Sequence, residues 1–576
     1  MTESASSPPS LRLQSLFREW AGAAGLSLAV SIAVLSPFFF LGTASGHDIA
    51  FHMASWLDAA GQWKQGIFLP RWAEWANFGY GEPRFIFYPP LSWMFGAFLG
   101  TVVPWNAVTA AFIVCVQTFA GIAAFALLRR LVDSRWAALF GAACFAANPY
   151  ALLIIYVRSD FAELLAMAVF PLLFLCAFRL CGFLAQRKDG TGELGGVIAF
   201  AVSFCAVWLS NAPAAVIATY SVAFLFVYAA VSRRSGKALV RGGRGMLLGL
   251  GLASFYLIPA MYEQRWVNIN GALAGGLMPA ENFLYARTTD PEHDAFNRVA
   301  SNIAVLLLVW VAAGLAAAWR ANRQRESAWR GLVMPLAALS AAMLLLMLPI
   351  TSPLWRWLPE LRFVQFPWRW TSLSAICALI FMAATWRGRA KWMWLAAVAL
   401  ASVGGGRYLV KHTWWDTEDM ATLEAALASG QGFEGTDEYD PIGDDRTDLA
   451  QISPRARFVA EKGHARESVE DKIYVDEWSA EQRKMRTITR ERSRVALRLV
   501  DYPAWRVRVN GQPVTAQRAA GTAQMIISVP AGESRIEIKF TRTLDRTIGG
   551  WISVLTACAS FVGLFLRRRP DSLMRT

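Results

Sequence analysis

Residues 105–128 read WNAVTAAFIVCVQTFAGIAAFALL, twenty-four positions without a charged side chain, closed by Arg129-Arg130. As a helix this stretch is about 36 Å long, enough to cross the roughly 30 Å hydrocarbon core of a bilayer. Eleven more apolar runs of comparable kind lie at 21–43, 136–155, 161–182, 196–211, 213–232, 245–260, 301–319, 332–350, 371–386, 392–410 and 548–566. The chain as a whole agrees: 55% of its 576 residues are hydrophobic, 17% are charged, and 25 are Trp. Soluble domains carry about a quarter charged residues. A soluble enzyme, a disordered chain and a secreted disulfide scaffold are therefore excluded. The sequence predicts an all-α polytopic membrane bundle of about 12 spans.

The formal charge of +14 is uneven. Residues 411–546 hold 23 acids and 21 bases, whereas the remainder carries a net +16. That remainder keeps its bases in short loops: Arg129/Arg130/Arg135, Arg187/Lys188, Arg233 to Arg244, Arg320 to Arg330, Arg387/Arg389/Lys391 and Arg567 to Arg569. All six clusters fall on the cytoplasmic side only if one further run, 89–104, does not cross. Pro89 and Pro104 bound that run, which reads as a re-entrant or interfacial helix. Both termini are then expected in the cytoplasm. The basic charge is topological, with no groove or stacking platform for nucleic acid. The uncharged stretch Trp20 to Gly46 is too long for a cleavable signal and reads as a retained anchor. Seven cysteines sit in or beside apolar runs without CxxC spacing, which argues against disulfides and a thiolate zinc site.

Four domains follow: a cytoplasmic N-terminus (1–20), a transmembrane domain (21–410), an extracytoplasmic domain (411–546), and a last span with a basic tail (547–576). The extracytoplasmic domain reads as β from about 490. Trp505 to Val509 alternates, Asn510-Gly511 supplies a hairpin turn, and Ile536/Ile538/Phe540 alternate with Glu537/Lys539. A small β-sandwich-like unit is expected, with Val507, Val509, Ile536, Ile538 and Phe540 facing inward.

Candidate chemistry lies in the outward segments. The 45–104 loop contains GHDIAFH (46–52), PRW (70–72) and GYGEPRFIFYPPLSW (79–93). Asp48 opens a helical stretch and His52 follows four residues later on the same face. The bland reading is an interfacial helix with Trp56, Trp63, Trp72 and Trp75 at headgroup level and Asp48 as its N-cap. The turn YVRSDFAE (156–163) adds Arg158, Asp160 and Glu163, and FPWRW (366–370) adds Arg369. A snorkelling Arg369 and a bracing Arg158/Glu163 pair would be purely structural. Ionisable groups at that depth are nonetheless costly unless they face a cavity or a partner, and their joint occurrence with Asp48 favours a shared site. His47, Asp48 and His52 are the residue types that could hold a divalent cation, although no third protein ligand beyond this tract is evident.

These motifs carry a resemblance. GHDIAFH…PRW…GYGEPRFIFYPPLSW, YVRSDFAE and FPWRW resemble a bacterial membrane-protein family called 6-pyruvoyl-tetrahydropterin synthase-related, and YPAWRVRVNGQPV…VPAG…IEIKF before a last span is similar to YfhO-like proteins. Both groups are similar to the GT-C glycosyltransferases, multispan enzymes that take sugar from a polyprenyl-phosphate carrier on the extracytoplasmic side. The resemblance implies a GT-C-like bundle in the bacterial inner membrane and an inverting transfer to a glycan, lipid or protein. It implies a catalytic Asp48, a second acid at Asp160 or Glu163, and a membrane-embedded helix opened by Pro89-Pro90-Leu91. Relatives often carry a His where this chain has Ser210-Asn211. Trp414-Trp415-Asp416 is read as a coincidental tripeptide. In such an enzyme Arg84, Arg158 and Arg369 would hold phosphate, and His47, His52, Glu82, Asp160 and Glu163 would also line the substrate site. Trp72, Tyr80 and Tyr88 would stack on sugar. The competing readings are a transporter or flippase of lipid-linked sugar, which would want charges buried mid-span, and a non-catalytic glycan-assembly scaffold.

Overall fold

Each of these apolar runs is mainly helical in the computed structural model, which describes residues 9–184, 192–322, 327–416, 419–442, 449–459 and 471–567. The first eight residues, Arg187-Lys188, the acidic positions Asp444, Asp445 and Asp448, and the tail beyond Arg567 lie outside the described residues. Among the described residues, ten helices are long and apolar enough to cross a membrane, or eleven counting one bent pair. Two runs account for the difference from twelve. The 332–350 run breaks after Leu346 and turns by 86° into Pro349–Trp357, because Pro349 cannot continue the helix. The 371–386 run forms a helix of only 14 residues, Thr371–Ala384, with every residue buried. It packs inside the bundle against Arg135–Ala146 and Pro291–Asn322, so it needs no lipid-facing length. The 89–104 run forms Pro90–Val102, 13 residues and about 20 Å, too short to cross unaided.

Local sequence sets the helix ends. Asn148, Asp160 and Asn211 each cap a helix through side-chain oxygens that accept backbone N–H groups. Helix Ile49–Lys64 is not the interfacial element expected from its tryptophans. Trp56 is fully buried and stacks on Phe112 with ring centroids 5.2 Å apart. The helix therefore lies within protein, covered by Pro90–Val102.

The β domain forms two antiparallel sheets around one apolar core. The first orders Ala456–Val459, Ser493–Val500, Gln524–Val529 and Gln517–Arg518; the second orders Lys472–Trp478, Gln482–Thr489, Gly532–Phe540, Trp505–Val509 and Gln512–Val514. Strands thus begin at 456, earlier than the 490 read from sequence, because Gln482–Thr489 alternates buried and exposed with Thr and Met on the inner face rather than Val and Ile. Asn510 and Gly511 both take positive φ (53° and 79°), the geometry of the hairpin turn their sequence predicts. Val507, Val509, Ile536, Ile538 and Phe540 all point into the core.

Several ties hold this domain to the membrane bundle. Thr43–Ala44 pairs with Trp415–Asp416, so the Trp-Trp-Asp tripeptide forms a two-residue strand rather than idle sequence. Phe78 N–H donates to the Phe433 carbonyl at 2.8 Å and Phe433 N–H to the Trp75 carbonyl at 3.0 Å. Buried Glu263 accepts two bonds from Arg546, at 2.7 and 2.8 Å, and one from the Tyr502 hydroxyl at 2.6 Å.

Candidate active site

Gly46 begins the site. A Cβ at this position would lie 2.5 Å from the Val157 carbonyl oxygen and 2.7 Å from the Ser159 hydroxyl. Only glycine lets the outer loop run against the end of the Arg135–Arg158 span. There His47 N–H donates to the Val157 carbonyl at 3.3 Å and Asp48 N–H to the Arg158 carbonyl at 2.8 Å. The span finishes as a π-turn, Ile154–Arg158, and Ser159 takes a left-handed φ of 55°. Such turns concentrate at functional sites. Ser159 then holds both sides together, accepting from Gly46 N–H at 3.0 Å and donating to the Ala44 carbonyl at 3.2 Å.

The turn delivers a buried ion cluster. Arg158 pairs with Asp48 at 3.1 Å, Asp160 at 3.2 Å and Glu163 at 2.7 Å. Arg369 pairs with Asp160 at 3.2 Å and Glu163 at 3.0 Å. Asp48, Arg158, Asp160, Glu163 and Arg369 are thus brought together, as expected from their separate segments. The expectation that the two arginines stand open to phosphate is not met: both guanidinium groups are already engaged by carboxylates. Three carboxylates against two guanidinium groups give the cluster a formal count of one negative charge in excess. Asp48 is where that charge meets solvent, since 38% of its side chain is open while Arg158, Asp160, Glu163 and Arg369 are all 5% or less.

Electrostatics separate the two aspartates. Burial pushes Asp160 up, but Arg158 and Arg369 outweigh it and hold the carboxyl below the usual range. Asp48, only partly open at the rim of the cluster, moves up through desolvation first and then the adjacent Asp160 charge, against the pull of Arg158 and Arg369. A carboxylate raised in this way is a better proton acceptor than a free one. His52 is 1% exposed and lies 3.9 Å from Asp160; burial lowers its pKa to about 4, so its ring is neutral at pH 7. Tyr88 closes the same wall, half-buried between Phe51 and His52. His47 turns outward instead, exposed and with its ring edge-on to Phe296 at 5.0 Å. His47, Asp48 and His52 therefore do not converge, and no group of three His, Cys, Asp or Glu among the described residues is placed to hold a metal ion.

Other expected residues sit elsewhere. Arg84 is buried against Glu82 at 2.6 Å and Ser55 at 3.1 Å, with its charge 4.4 Å over the Phe51 ring. Glu82 also accepts from the Thr436 N–H at 2.9 Å, so the pair fastens the loop to the segment following the membrane domain. Trp72 and Tyr80 are corrected outright: both are buried in the β-domain core, Trp72 beside Tyr502, Trp505 and Phe540, and neither is open to a sugar. Apolar strands packing over the loop claim these rings before solvent can.

Sequence reading missed several members of the site. The Tyr150 hydroxyl donates to Glu163 at 2.5 Å. Gln365, strained at φ 63°, accepts from Arg369 at 3.0 Å while its amide donates to the Ala272 carbonyl at 2.7 Å. Nothing marks Tyr150 in the sequence, but Gln365 directly precedes FPWRW. Arg287, Asp294 and Arg298 line a cleft of their own of about 300 Å³.

In fold the chain is similar to the oligosaccharyltransferase of Archaeoglobus fulgidus. The form tethered to an acceptor peptide with the NVT sequon gives a TM-score of 0.38 at 15% identity, covering 68% of this chain and 54% of that one. The form in complex with an inhibitory peptide and a dolichol-phosphate gives 0.37 at 13% identity, covering 72% and 56%. The chain thus spans about half the length of each. No curated protein matches it in sequence. Residues 85–414, more than half the chain and the part that carries Arg158, Asp160, Glu163 and Arg369, match the family described as 6-pyruvoyl-tetrahydropterin synthase related domain, membrane protein. The chain belongs to that family of membrane proteins.

Proposed function

We propose that the protein is an inverting glycosyltransferase that moves a sugar from a polyprenyl-phosphate carrier to an extracytoplasmic acceptor. It would sit in a bacterial inner membrane with both termini cytoplasmic and the Asp48 face outward. The observation that carries this reading is the half-open Asp48 carboxylate at the lip of a buried cluster with a formal excess of one negative charge.

The acceptor hydroxyl gives its proton to Asp48 Oδ as its oxygen bonds to the anomeric carbon. The bond from that carbon to the phosphate oxygen breaks, its electron pair leaving with the polyprenyl phosphate. Glycosyl transfer passes through an oxocarbenium-like state, and a net-negative pocket stabilises that positive charge. Arg158 and Arg369 act here by holding three carboxylates at close range. The departing phosphate would find its cations in Arg287 and Arg298, both exposed. Tyr88 offers the aromatic face for the sugar. Single displacement inverts the anomeric centre.

The test is transfer by the purified full chain from polyprenyl-phosphate sugars in lipid vesicles, with the anomeric configuration of the product read by NMR. Release of polyprenyl phosphate with inversion supports the reading. Sugar crossing the vesicle without bond cleavage would instead establish the flippase. EDTA in the same assay reports any divalent-cation requirement.

A further inference from the structure

A second charged cavity lies away from Asp48, where the last span meets the β domain. Its volume is about 510 Å³, and its walls include Arg71, Arg542, Arg546, Glu481, Phe255 and Val554. The sequence builds it from a defect. Pro259 lacks the N–H that would bond the Phe255 carbonyl within helix Lys237–Glu263. Arg71 takes up that carbonyl at 3.1 Å. One turn earlier the Ser553 hydroxyl enters the same helix, accepting from Phe255 N–H at 2.9 Å and donating to the Gly251 carbonyl at 3.2 Å. Arg542 folds down along the last span, its Nη2 only 2.6 Å from where a Cβ on Gly550 would stand.

Glu263 pairs with Arg546 and also meets the buried Asp545. Arg71 and Arg542 line the cavity with Glu481 as the carboxylate in its wall. Burial, and then the Arg546 and Arg542 charges, push Arg71 down to about 10, against the pull of Glu263. Below the cations the wall is apolar, and helix Leu544–Leu566 packs along Lys237–Glu263 on one side while few of its residues are fully buried. From Arg546 to Val554 the cavity follows about 12 Å of that helix, from its polar end toward the middle of the span.

We propose that this cavity binds the phosphate of an anionic membrane lipid, headgroup against Arg71 and Arg542 and acyl chain along Phe255 and Val554. Basic pockets between spans suit such headgroups, and guanidinium matches phosphate oxygens bidentately. The site is independent of the glycosyl-transfer reading and stands or falls separately.

The test uses the full chain in neutral detergent, titrated with phosphatidylglycerol, phosphatidylcholine or sodium phosphate, with thermal melting and native mass spectrometry as readouts. Phosphatidylglycerol alone should raise the melting temperature and be retained. Arg542→Ala, at an exposed position, should weaken its binding about tenfold, the loss of one charge-assisted contact. Glu481→Gln should tighten it, and Asp48→Asn should bind as the wild type. Unchanged binding by both Arg542→Ala and Arg71→Ala overturns the proposal. So does equal protection by sodium phosphate, which would mark a site for soluble anions.

Discussion

The Asp48 amide donates to the Arg158 carbonyl at 2.8 Å while the Arg158 guanidinium donates to the Asp48 carboxylate at 3.1 Å, two bonds across 110 positions of sequence. Backbone and side chain thus fix the same pair, and the carboxylate cannot drift from the cluster without the loop leaving the span.

Asp48→Asn keeps the shape and the Arg158 contact but cannot take a proton. Transfer should fall by about 10² to 10⁴, with the melting temperature within a few degrees of wild type. Near-normal transfer by this variant would remove Asp48 from the reaction.

Glu163→Ala should act through stability. It leaves Arg158, Arg369 and Tyr150 without a shared buried acceptor, and breaking a buried ion pair typically costs about 3–5 kcal/mol. Detergent melting curves check this. Tyr150→Phe, which removes one hydroxyl donor, should cost about 1 kcal/mol.

Gly46→Ala places a methyl group against the Val157 carbonyl and the Ser159 hydroxyl. Overpacking of this kind costs about 1–3 kcal/mol. Because the shift moves Asp48 off Arg158, activity should fall even at temperatures where the variant stays folded, as comparison of transfer rate with circular dichroism would reveal.

Asp58, buried in helix Ile49–Lys64, has its pKa raised from 3.8 to about 7, chiefly by burial. The folded state therefore binds a proton that the unfolded chain has released, so stability should decline as pH rises from about 4 to about 7. Asp58→Asn should flatten that slope in melting curves taken across the interval. An unchanged slope would exclude Asp58 as its source.

The spans and the β hairpin were legible because their signals are local. Uncharged runs, capping Asn and Asp residues and Asn510-Gly511 each act within a few positions. The ion cluster was legible for a different reason: charge at a span end is rare enough to mark Asp160, Glu163 and Arg369 singly. What stayed hidden was tertiary. Nothing near Trp72 or Tyr80 shows that strands some 420 residues later will cover them. Arg369 looked like a free cation because its carboxylate partners, Glu163 and Asp160, lie 206 and 209 positions earlier. Tyr150 looked like any aromatic residue in a span.

The cluster also imposes an order on biogenesis. Glu163 stands 206 positions ahead of Arg369, so at the usual 5–20 residues per second the ribosome needs roughly 10 to 40 s to supply the second guanidinium. Through that interval Arg158, five residues away, is the early counter-ion that Glu163 has in the finished protein. A chain lacking Arg158 would present an uncompensated carboxylate to the insertion machinery. Its defect would then be failed membrane integration and proteolysis rather than a slow enzyme.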